Sequence, residues 1–507
     1  SKGWRGFTID PERPVDVTQL DRGESVVRPV EIYHWVMTLA PESDSTDHRD
    51  DLDGLEATID RLRSTVLDGT TRSLDWREAQ LDGVIAFAKD HTDGLIAAMG
   101  QDLGRPEIEG WLADVGSSIT EAEHIRKNFR KWAKPRRAKI PIVTQPGSAK
   151  VIPEPLGVAL IIAPWNYPVN LVLEPLVAAL AAGNAVVVKP SELAPATSGL
   201  IARELPKYLD ERAFAIVEGG VETSTALLKQ RFDHIFFTGS TKVGRIVMRA
   251  AAEHLTPVIL ELGGKSPVVV ADDADLDVAA NRIAWGKTLN AGQTCIAPDY
   301  VLVTEKNRDL LIDKIADAWG TFFGADPQAS ADLGRIVTEQ HHRRLVDLLD
   351  GQNPVVGGEH DATTKYLAPT IVVDPDPDSA LMTEEIFGPI LPIVTIDDTF
   401  DAIRFINGRP KPLALYVFSN DDDTVDAVLG RTSSGGACVN HTLLHFTPTD
   451  LPFGGVGPSG MGRYHGRSGF EALSNMKGVL RKPVFGENNI AYPPYTERKV
   501  NLLRKVT

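Results

Sequence analysis

Cys295, one of two cysteines in 507 residues, lies in the run Asn290-Ala-Gly-Gln-Thr-Cys-Ile-Ala-Pro. Small and polar neighbours leave a thiol reachable, and a reachable thiol can bond covalently to an electrophile. Glu261, 34 positions earlier, ends an apolar run and opens Glu-Leu-Gly-Gly-Lys-Ser-Pro. A carboxylate beside a thiol is the pairing covalent catalysis needs, one group attacking while the other moves protons. A lone cysteine is more often a packed core residue, so the pair needs support from the elements around it.

Four further runs end in groups of the right chemistry, each with a plainer alternative. In open parallel sheets ligands bind beyond the carboxyl ends of the strands. His234–Phe237 reads as a strand and runs into Thr238-Gly239-Ser240-Thr241-Lys-Val-Gly244. Gly239 and Gly244 permit close backbone approach, and Ser240 and Thr241 open a helix whose free N–H groups suit a pyrophosphate. The run is not Gly-x-Gly-x-x-Gly, and a tight turn capped by Ser240 would look the same. Ala185–Val188 leads into Lys189-Pro-Ser-Glu192. Lys189 can donate to ribose or phosphate and Glu192 can accept from ribose hydroxyls; a solvated loop is the alternative. Val158–Ile162 leads into Ala163-Pro-Trp165-Asn166-Tyr-Pro168, where two prolines stiffen the loop and aim the Asn166 amide at a developing oxyanion. Asn166 could instead bond its own backbone in a turn. In Thr383-Glu-Glu385-Ile-Phe387-Gly-Pro, Glu385 can hold ribose hydroxyls and Phe387 can pack on a flat cofactor. Alone, that run reads as a helix-end loop with a core ring.

The elements that must position these groups follow from periodicity. Residues 52–134 show three- and four-residue apolar spacing, as in Ile59, Leu62 and Val66, and are expected to be helical. The basic stretch from Arg126 to Arg137 reads as a solvated helix end. Ile140, Ile142 and Thr144 before Gln145-Pro-Gly, with Lys150-Val-Ile after it, predict a hairpin around the Pro-Gly turn. Apolar runs at Val158–Ile162, Ala185–Val188, Phe214–Val217, His234–Phe237 and Val258–Leu260 alternate with helix-length segments near 170–182, 196–209, 222–230 and 241–254. A second alternation has strands at Val268–Val270, Tyr300–Val303, Ile390–Val394 and Ala414–Phe418. Repeated strand–helix order means parallel sheets covered on both faces. Phe470 to Leu480 returns to a short mixed pattern expected to close against the arm, and residues 1–50 read as a loosely attached extension.

Bulk properties narrow the function. A chain this long needs two or three domains. Hydrophobic content of 42% and charged content of 24% are those of an ordinary globular protein. The net charge of −16 argues against nucleic acid or an anionic membrane as the main partner. Two cysteines make no disulfide framework, and no zinc-ligand spacing is visible, so no metal is expected. No signal pattern opens the sequence, and polar residues interrupt Val169–Val188. A cytoplasmic protein with no membrane anchor is expected.

Pro164-Trp-Asn-Tyr-Pro, Lys189-Pro-Ser-Glu, Thr238-Gly-Ser-Thr, Glu261-Leu-Gly-Gly-Lys-Ser-Pro, Gly292-Gln-Thr-Cys295 and Glu385-Ile-Phe-Gly-Pro together resemble the aldehyde dehydrogenase superfamily in order and spacing, over roughly residues 52–485. Thr256-Pro-Val-Ile-Leu-Glu261 and Phe453-Gly-Gly-Val-Gly-Pro-Ser-Gly-Met-Gly-Arg-Tyr-His465-Gly are similar to the class 3 branch, which handles medium and long aliphatic or aromatic aldehydes. The resemblance implies an α/β, aldehyde dehydrogenase-like fold: two doubly wound domains plus a small β oligomerisation arm. Residues 51–134 and 156–262 would form the NAD(P)-binding domain, 263–440 the catalytic domain, and 135–155 with 470–490 the bridging segments of a homodimer. Cys295 would attack the aldehyde. Asn166 and the Cys295 backbone N–H would hold the oxyanion, and Glu261 would activate water or the thiol. Trp165, Lys189, Glu192, Gly239, Ser240, Thr241, Gly244, Glu385 and Phe387 would line the site of NAD, with NADP possible. Membrane-anchored members of the branch end in an apolar tail, and the final residues here do not match one.

The chemistry agrees with these roles. A free thiol has a pKa of about 8.5, so a base or local field must activate it. A tetrahedral alkoxide expels hydride far more readily than an aldehyde does, and one oxyanion donor is worth about 3 kcal/mol in the transition state. Two rivals stand: a coenzyme-A-acylating relative, which would have no use for a hydrolytic Glu261, and a catalytically silent binding member of the fold.

Overall fold

The structure, a computed structural model, describes residues 54–486 and 489–506; the extension expected over residues 1–50 lies outside them. Helices α1 (Leu55–Leu67), α2 (Leu74–Asp90), α3 (Thr92–Leu103) and α4 (Gly116–Trp132) follow the apolar spacing of the first segment. The α1 helix buries Leu55, Ile59, Leu62 and Val66 on one face. Ser73 caps α2, its hydroxyl accepting from the Trp76 N–H. A π-helical stretch, Trp111–Val115, feeds α4. Such widened turns recur at functional sites, and this one carries Trp111 to the wall of a cavity and Asp114 into the interior.

The hairpin forms, but not where the sequence suggests. Strand β1 is Arg136–Ala138 and β2 is Ser148–Pro155, while Ile142–Thr144 is a 3-10 turn. Pro141 has no N–H to give to a ladder, which pushes the pairing to the residues before it.

The first sheet has the order β17-β7-β6-β3-β4-β5. Its parallel members are β3 (Val158–Ile162), β4 (Ala185–Lys189), β5 (Phe214–Ile216), β6 (His234–Gly239) and β7 (Val258–Leu262), with the short β17 (Gly460–Met461) antiparallel to β7. Helices α5 (Asn170–Ala182), α6 (Pro195–Glu204), α7 (Val221–Leu228) and α8 (Thr241–Glu253) connect them. Ala159 and Ile161 of β3 face one core with α5, whereas Val158, Leu160 and Ile162 face a second with α1 and α8. Both faces are covered, so the strands are apolar throughout rather than alternating.

The second sheet has the order β10-β13-β14-β9-β8-β15-β16. Its strands are β8 (Ser266–Val270), β9 (Pro298–Thr304), β10 (Pro354–Val356), β13 (Thr370–Val373), β14 (Ile390–Ile396), β15 (Ala414–Phe418) and β16 (Gly436–Val439), all parallel except β10. A separate pair joins β11 (His360–Asp361) to β12 (Tyr366–Leu367). Helices α9 (Leu276–Thr288), α10 (Glu305–Phe323), α11 (Glu339–Asp347), α12 (Thr399–Asn407) and α13 (Asp422–Arg431) accompany it. After α14 (Gly466–Ala472), strand β18 (Ser474–Arg481) lies antiparallel along β2, from Ser474 opposite Pro155 to Arg481 opposite Ser148. Ser474–Arg481 thus closes on the arm, as the short pattern of residues 470–480 suggested. Phe470 is fully buried beside Trp132 and belongs to the main core.

Candidate active site

The loop that carries Cys295 is strained and tightly held. Asn290, Ala291 and Gly292 adopt left-handed backbone in succession, with φ of 52°, 52° and 75°. For residues with a Cβ that costs about 1–2 kcal/mol each, so the surroundings must enforce it. The Gln293 side chain donates to the Arg335 carbonyl (2.9 Å) and accepts from the Val337 N–H (2.9 Å). The Asn290 N–H donates to the Glu109 carboxylate at 2.9 Å, and its side-chain amide donates to the Asn166 carbonyl at 2.9 Å. Gly292 sits against the Gly388 backbone, where a side chain would not fit.

That network also places Asn166. Its side-chain amide donates to the Gln293 carbonyl at 3.1 Å, leaving a second N–H on the same nitrogen. Its own carbonyl accepts from Arg105. Arg105 and Asp114 form an ion pair at 2.6 Å with both side chains fully buried. Asp114 in turn accepts from the Val169 N–H (3.0 Å) and the Asn170 N–H at the start of α5. Burial pushes the Asp114 carboxyl up to about 6, with the Arg105 charge opposing. The neighbouring Tyr167 hydroxyl pairs with the Thr294 hydroxyl at 2.6 Å.

Glu261, near the end of β7, is 3% exposed, and neither carboxyl oxygen has a hydrogen-bond partner. Burial holds its pKa well above the usual carboxylate range, the Arg463 charge countering only in part. Burial also raises the Cys295 thiol, with the Glu385 and Glu261 charges adding to the effect. The thiol is therefore neutral near pH 7 in this arrangement, and a base or a positive field must activate it.

Cys295 lies where two cavities meet. One, of about 280 Å³, is lined by Trp165, Asn166, Gly239, Ser240, Glu261, Glu385 and Phe387 among others. The other, of about 420 Å³, is walled mainly by apolar side chains including Trp111, Leu171, Trp285, Leu443 and Phe446. Leu171, Phe453 and Tyr464 join Cys295 on the boundary.

The smaller cavity has the character of a nucleotide slot. Phe387, itself left-handed at φ 54°, meets Trp165 edge-on at 5.4 Å, and His341 packs on the same indole at 5.3 Å. The Glu385 carboxyl accepts from the Gly264 N–H and occupies the space a Gly263 side chain would need. Burial and the Asp299 charge push it up to about 8. Thr238 Oγ1 and Glu385 Oε1 are buried acceptors without partners on this wall, as expected of groups that await a hydroxyl or amide. Ser240, which lines the cavity, caps α8 by accepting from the Val243 N–H at 3.4 Å. These residues fit a dinucleotide.

Other expected cofactor residues stand apart from that slot. Thr241 donates from its hydroxyl to the Pro458 carbonyl at 3.1 Å. Gly244 packs on Leu262, whose side chain would lie 2.6 Å from an added Cβ. Lys189 and Glu192 pair at 2.6 Å beyond the end of β4, Lys189 buried and Glu192 40% exposed, outside the lining of the smaller cavity. Sequence reasoning gave no role to Tyr464, Phe453, Leu171, His341 or Arg344. The glycine-rich run around Phe453 and Tyr464 was visible and was the available signal.

A doubly wound α/β fold with a thiol at the strand ends, beside a nucleotide-shaped slot, defines a dehydrogenase. Comparison with known proteins names which kind. The aldehyde dehydrogenase family model matches residues 65–479. Aldehyde dehydrogenase family 3 member A2 of Rattus norvegicus is 49% identical over 449 residues, 88% of this chain and 93% of that protein. The substrate-bound structure of Staphylococcus aureus AldH superposes with a TM-score of 0.86 at 40% identity, covering 89% of this chain and 99% of its own. A Mycobacterium tuberculosis aldehyde dehydrogenase complexed with NAD+ gives a TM-score of 0.78 at 27% identity, over 86% and 92% of the two chains. The chain belongs to the aldehyde dehydrogenase family, in the class 3 branch the motifs resemble, and is an NAD(P)-dependent aldehyde dehydrogenase.

Proposed function

We propose that the chain oxidises medium- or long-chain aliphatic or aromatic aldehydes to carboxylic acids through a thiohemiacetal and a thioester on Cys295. The observation that carries this reading is the position of Cys295 at the junction of an apolar cavity and a nucleotide-like slot. The Cys295 thiol gives up its proton to solvent, and its sulfur bonds to the carbonyl carbon as the carbonyl π electrons move onto oxygen. The Asn166 amide and the Cys295 backbone N–H receive the oxyanion, and Tyr464 and Phe453 close the boundary against water. NAD, when bound, would supply the hydride acceptor; Glu385 would hold its nicotinamide ribose, Trp165 and Phe387 would lie beside the ring, and Gly239, Ser240 and Thr241 would hold the pyrophosphate. Lys189 and Glu192 would take the adenosine ribose, with Gly244 letting α8 approach. Loss of hydride turns the adduct into a thioester. Glu261 then removes a proton from water as the water oxygen attacks the acyl carbon, and the C–S bond breaks to release the acid.

Two unpartnered oxygens on a buried Glu261 suit a base for water and count against the coenzyme-A-acylating alternative. The intact thiol, amide and carboxylate count against a silent binding protein. Residues 51–134 and 156–262 are assigned to nucleotide binding, 263–440 to catalysis, and 135–155 with 470–490 to bridging in a homodimer. Exposed Ile142, Val479 and Leu480 on or beside the arm support that interface. Among the described residues no helix is long and apolar enough to cross a membrane, and two free cysteines suit a reducing, cytoplasmic setting. The test is a panel of aldehydes offered with NAD and with NADP, followed by absorbance of the reduced nucleotide. Turnover to free acid is expected; absence of reduction with every pair, or a requirement for coenzyme A, overturns the reading.

A further inference from the structure

The larger cavity is not apolar all round. On one wall, α4 contributes Glu121, α5 contributes Asn170 and Glu174, and the segment before α14 contributes His465. All four are nearly inaccessible to solvent, Glu121 and Glu174 at 3% exposure and His465 at 4%. Glu121 Oε1 accepts from the Gly466 N–H at 2.5 Å, and Glu174 Oε1 accepts from the Asn170 amide at 2.5 Å. His465 Nε2 stands 3.1 Å from Glu174 Oε2. The two face each other as a buried ion pair, which raises the imidazole pKa although burial alone would lower it. The Tyr464 hydroxyl, buried on the same cavity surface, is unpartnered.

Two carboxylates against one imidazole leave this wall with an acid in excess. Neither Cys295 chemistry nor nucleotide binding uses it, and an unpaired buried charge is costly. Aromatic rings hold the imidazole in place: Phe453 stacks on it at 5.3 Å and Tyr464 meets it edge-on at 4.5 Å. Ser117 accepts from the Asn170 amide at 2.9 Å and so fixes the α5 side of the wall. A second carboxyl, Glu121, beside an already paired Glu174 and His465 on a rigid wall that faces an apolar one describes a receptor for a molecule with an apolar body and a cationic donor.

We propose that Glu121, Glu174 and His465 form a subsite for a protonated amine carried by the aldehyde several atoms from its carbonyl. The proposal rests on the aldehyde oxidation described above. The Glu121 carboxylate accepts from the ammonium N–H, with Glu174 beside it held against His465, while the body of the substrate lies along Trp111, Leu171, Trp285 and Phe446 toward Cys295. The Glu121 carboxyl, pushed up to about 7 by burial and by the Glu174 charge, takes a proton when no such cation is present, which lets the wall stay folded with the cavity empty.

The test compares each amine with its carbon isostere: para-(dimethylaminomethyl)benzaldehyde against para-isobutylbenzaldehyde, and the flexible ω-(dimethylamino)hexanal against its branched alkyl counterpart. The amines are tertiary, so they cannot condense with their own aldehyde group. The measured quantity is the ratio of kcat/KM within each pair, which cancels loss of active enzyme. A ratio of roughly ten or more in favour of the amine is expected for at least one pair, the worth of one charge-assisted contact. In Glu121→Gln and in Glu174→Gln the ratio should fall toward one, chiefly through KM. If both members of each pair are oxidised equally by wild type, or if neither variant changes the ratio, the subsite is wrong although the oxidation stands. If no aldehyde is oxidised with either nucleotide, the underlying function fails instead.

Discussion

Replacing Asn166 with alanine separates transition-state stabilisation from the scaffolding that surrounds it. The backbone carbonyl of residue 166, which Arg105 and Asn290 grip, survives the change. The Gln293 carbonyl loses its bond from the Asn166 amide at 3.1 Å but keeps one from the Asn290 amide at 3.2 Å. The structural loss is therefore one neutral hydrogen bond, about 1 kcal/mol of stability. The catalytic loss is one oxyanion donor, about 3 kcal/mol, or roughly a hundred- to a thousand-fold in kcat. Steady-state production of reduced nucleotide gives kcat, alkylation of Cys295 by iodoacetamide reports the thiol, and thermal unfolding reports the fold. The expected result is a large fall in kcat with thiol reactivity retained and unfolding shifted only slightly. A kcat within about three-fold of wild type would show that the amide does not reach the oxyanion, and the argument for its role would collapse.

Other perturbations test other parts of the site. Glu192→Gln removes a carboxylate that should repel a 2′-phosphate, so kcat/KM for NADP relative to NAD should rise; an unchanged ratio places Glu192 away from the ribose. Asp114→Ala leaves Arg105 buried without its partner and frees two N–H groups at the start of α5, and should cost about 3–5 kcal/mol in chemical denaturation. A loss under about 1 kcal/mol would contradict the buried pair. Burial raises the Glu261 pKa, so its base form grows as pH increases; hydrolysis of the thioester should accelerate through and above neutrality. A flat profile, or one that Glu261→Gln leaves unaltered, would remove Glu261 from that step.

Much of the fold was legible because buried parallel strands are short, apolar and separated by helix-length intervals. Val158–Ile162 and Ala185–Lys189 are buried at every position and stand out because glycine lies just before each run and proline just after it. Gly436–Val439 and Thr370–Val373 did not stand out. The former is half-exposed and begins in glycine, and the latter is four residues long. The hairpin was displaced because Pro141, read as part of an alternating strand, cannot join a ladder. At the site, Cys295, Glu261, Asn166, Trp165, Glu385 and Phe387 converge on one slot from strand ends far apart in sequence. The grip on Asn166 was not legible, since it depends on Arg105 reaching across 61 residues. Nor was the wall of Glu121, Glu174 and His465, because helical spacing shows which face a residue occupies but not what meets it from elsewhere in the chain.

The covalent route through Cys295 is tested most directly by trapping the acyl enzyme. Glu261→Gln is mixed with excess aldehyde and NAD, quenched in acid, digested and weighed by mass spectrometry. The account predicts a rapid burst of one reduced nucleotide per site, then a stall, with the peptide containing Cys295 heavier by the acyl group and the peptide containing Cys438 unchanged. Reduced nucleotide formed without any acyl mass on Cys295, or acylation at Cys438 instead, would contradict it.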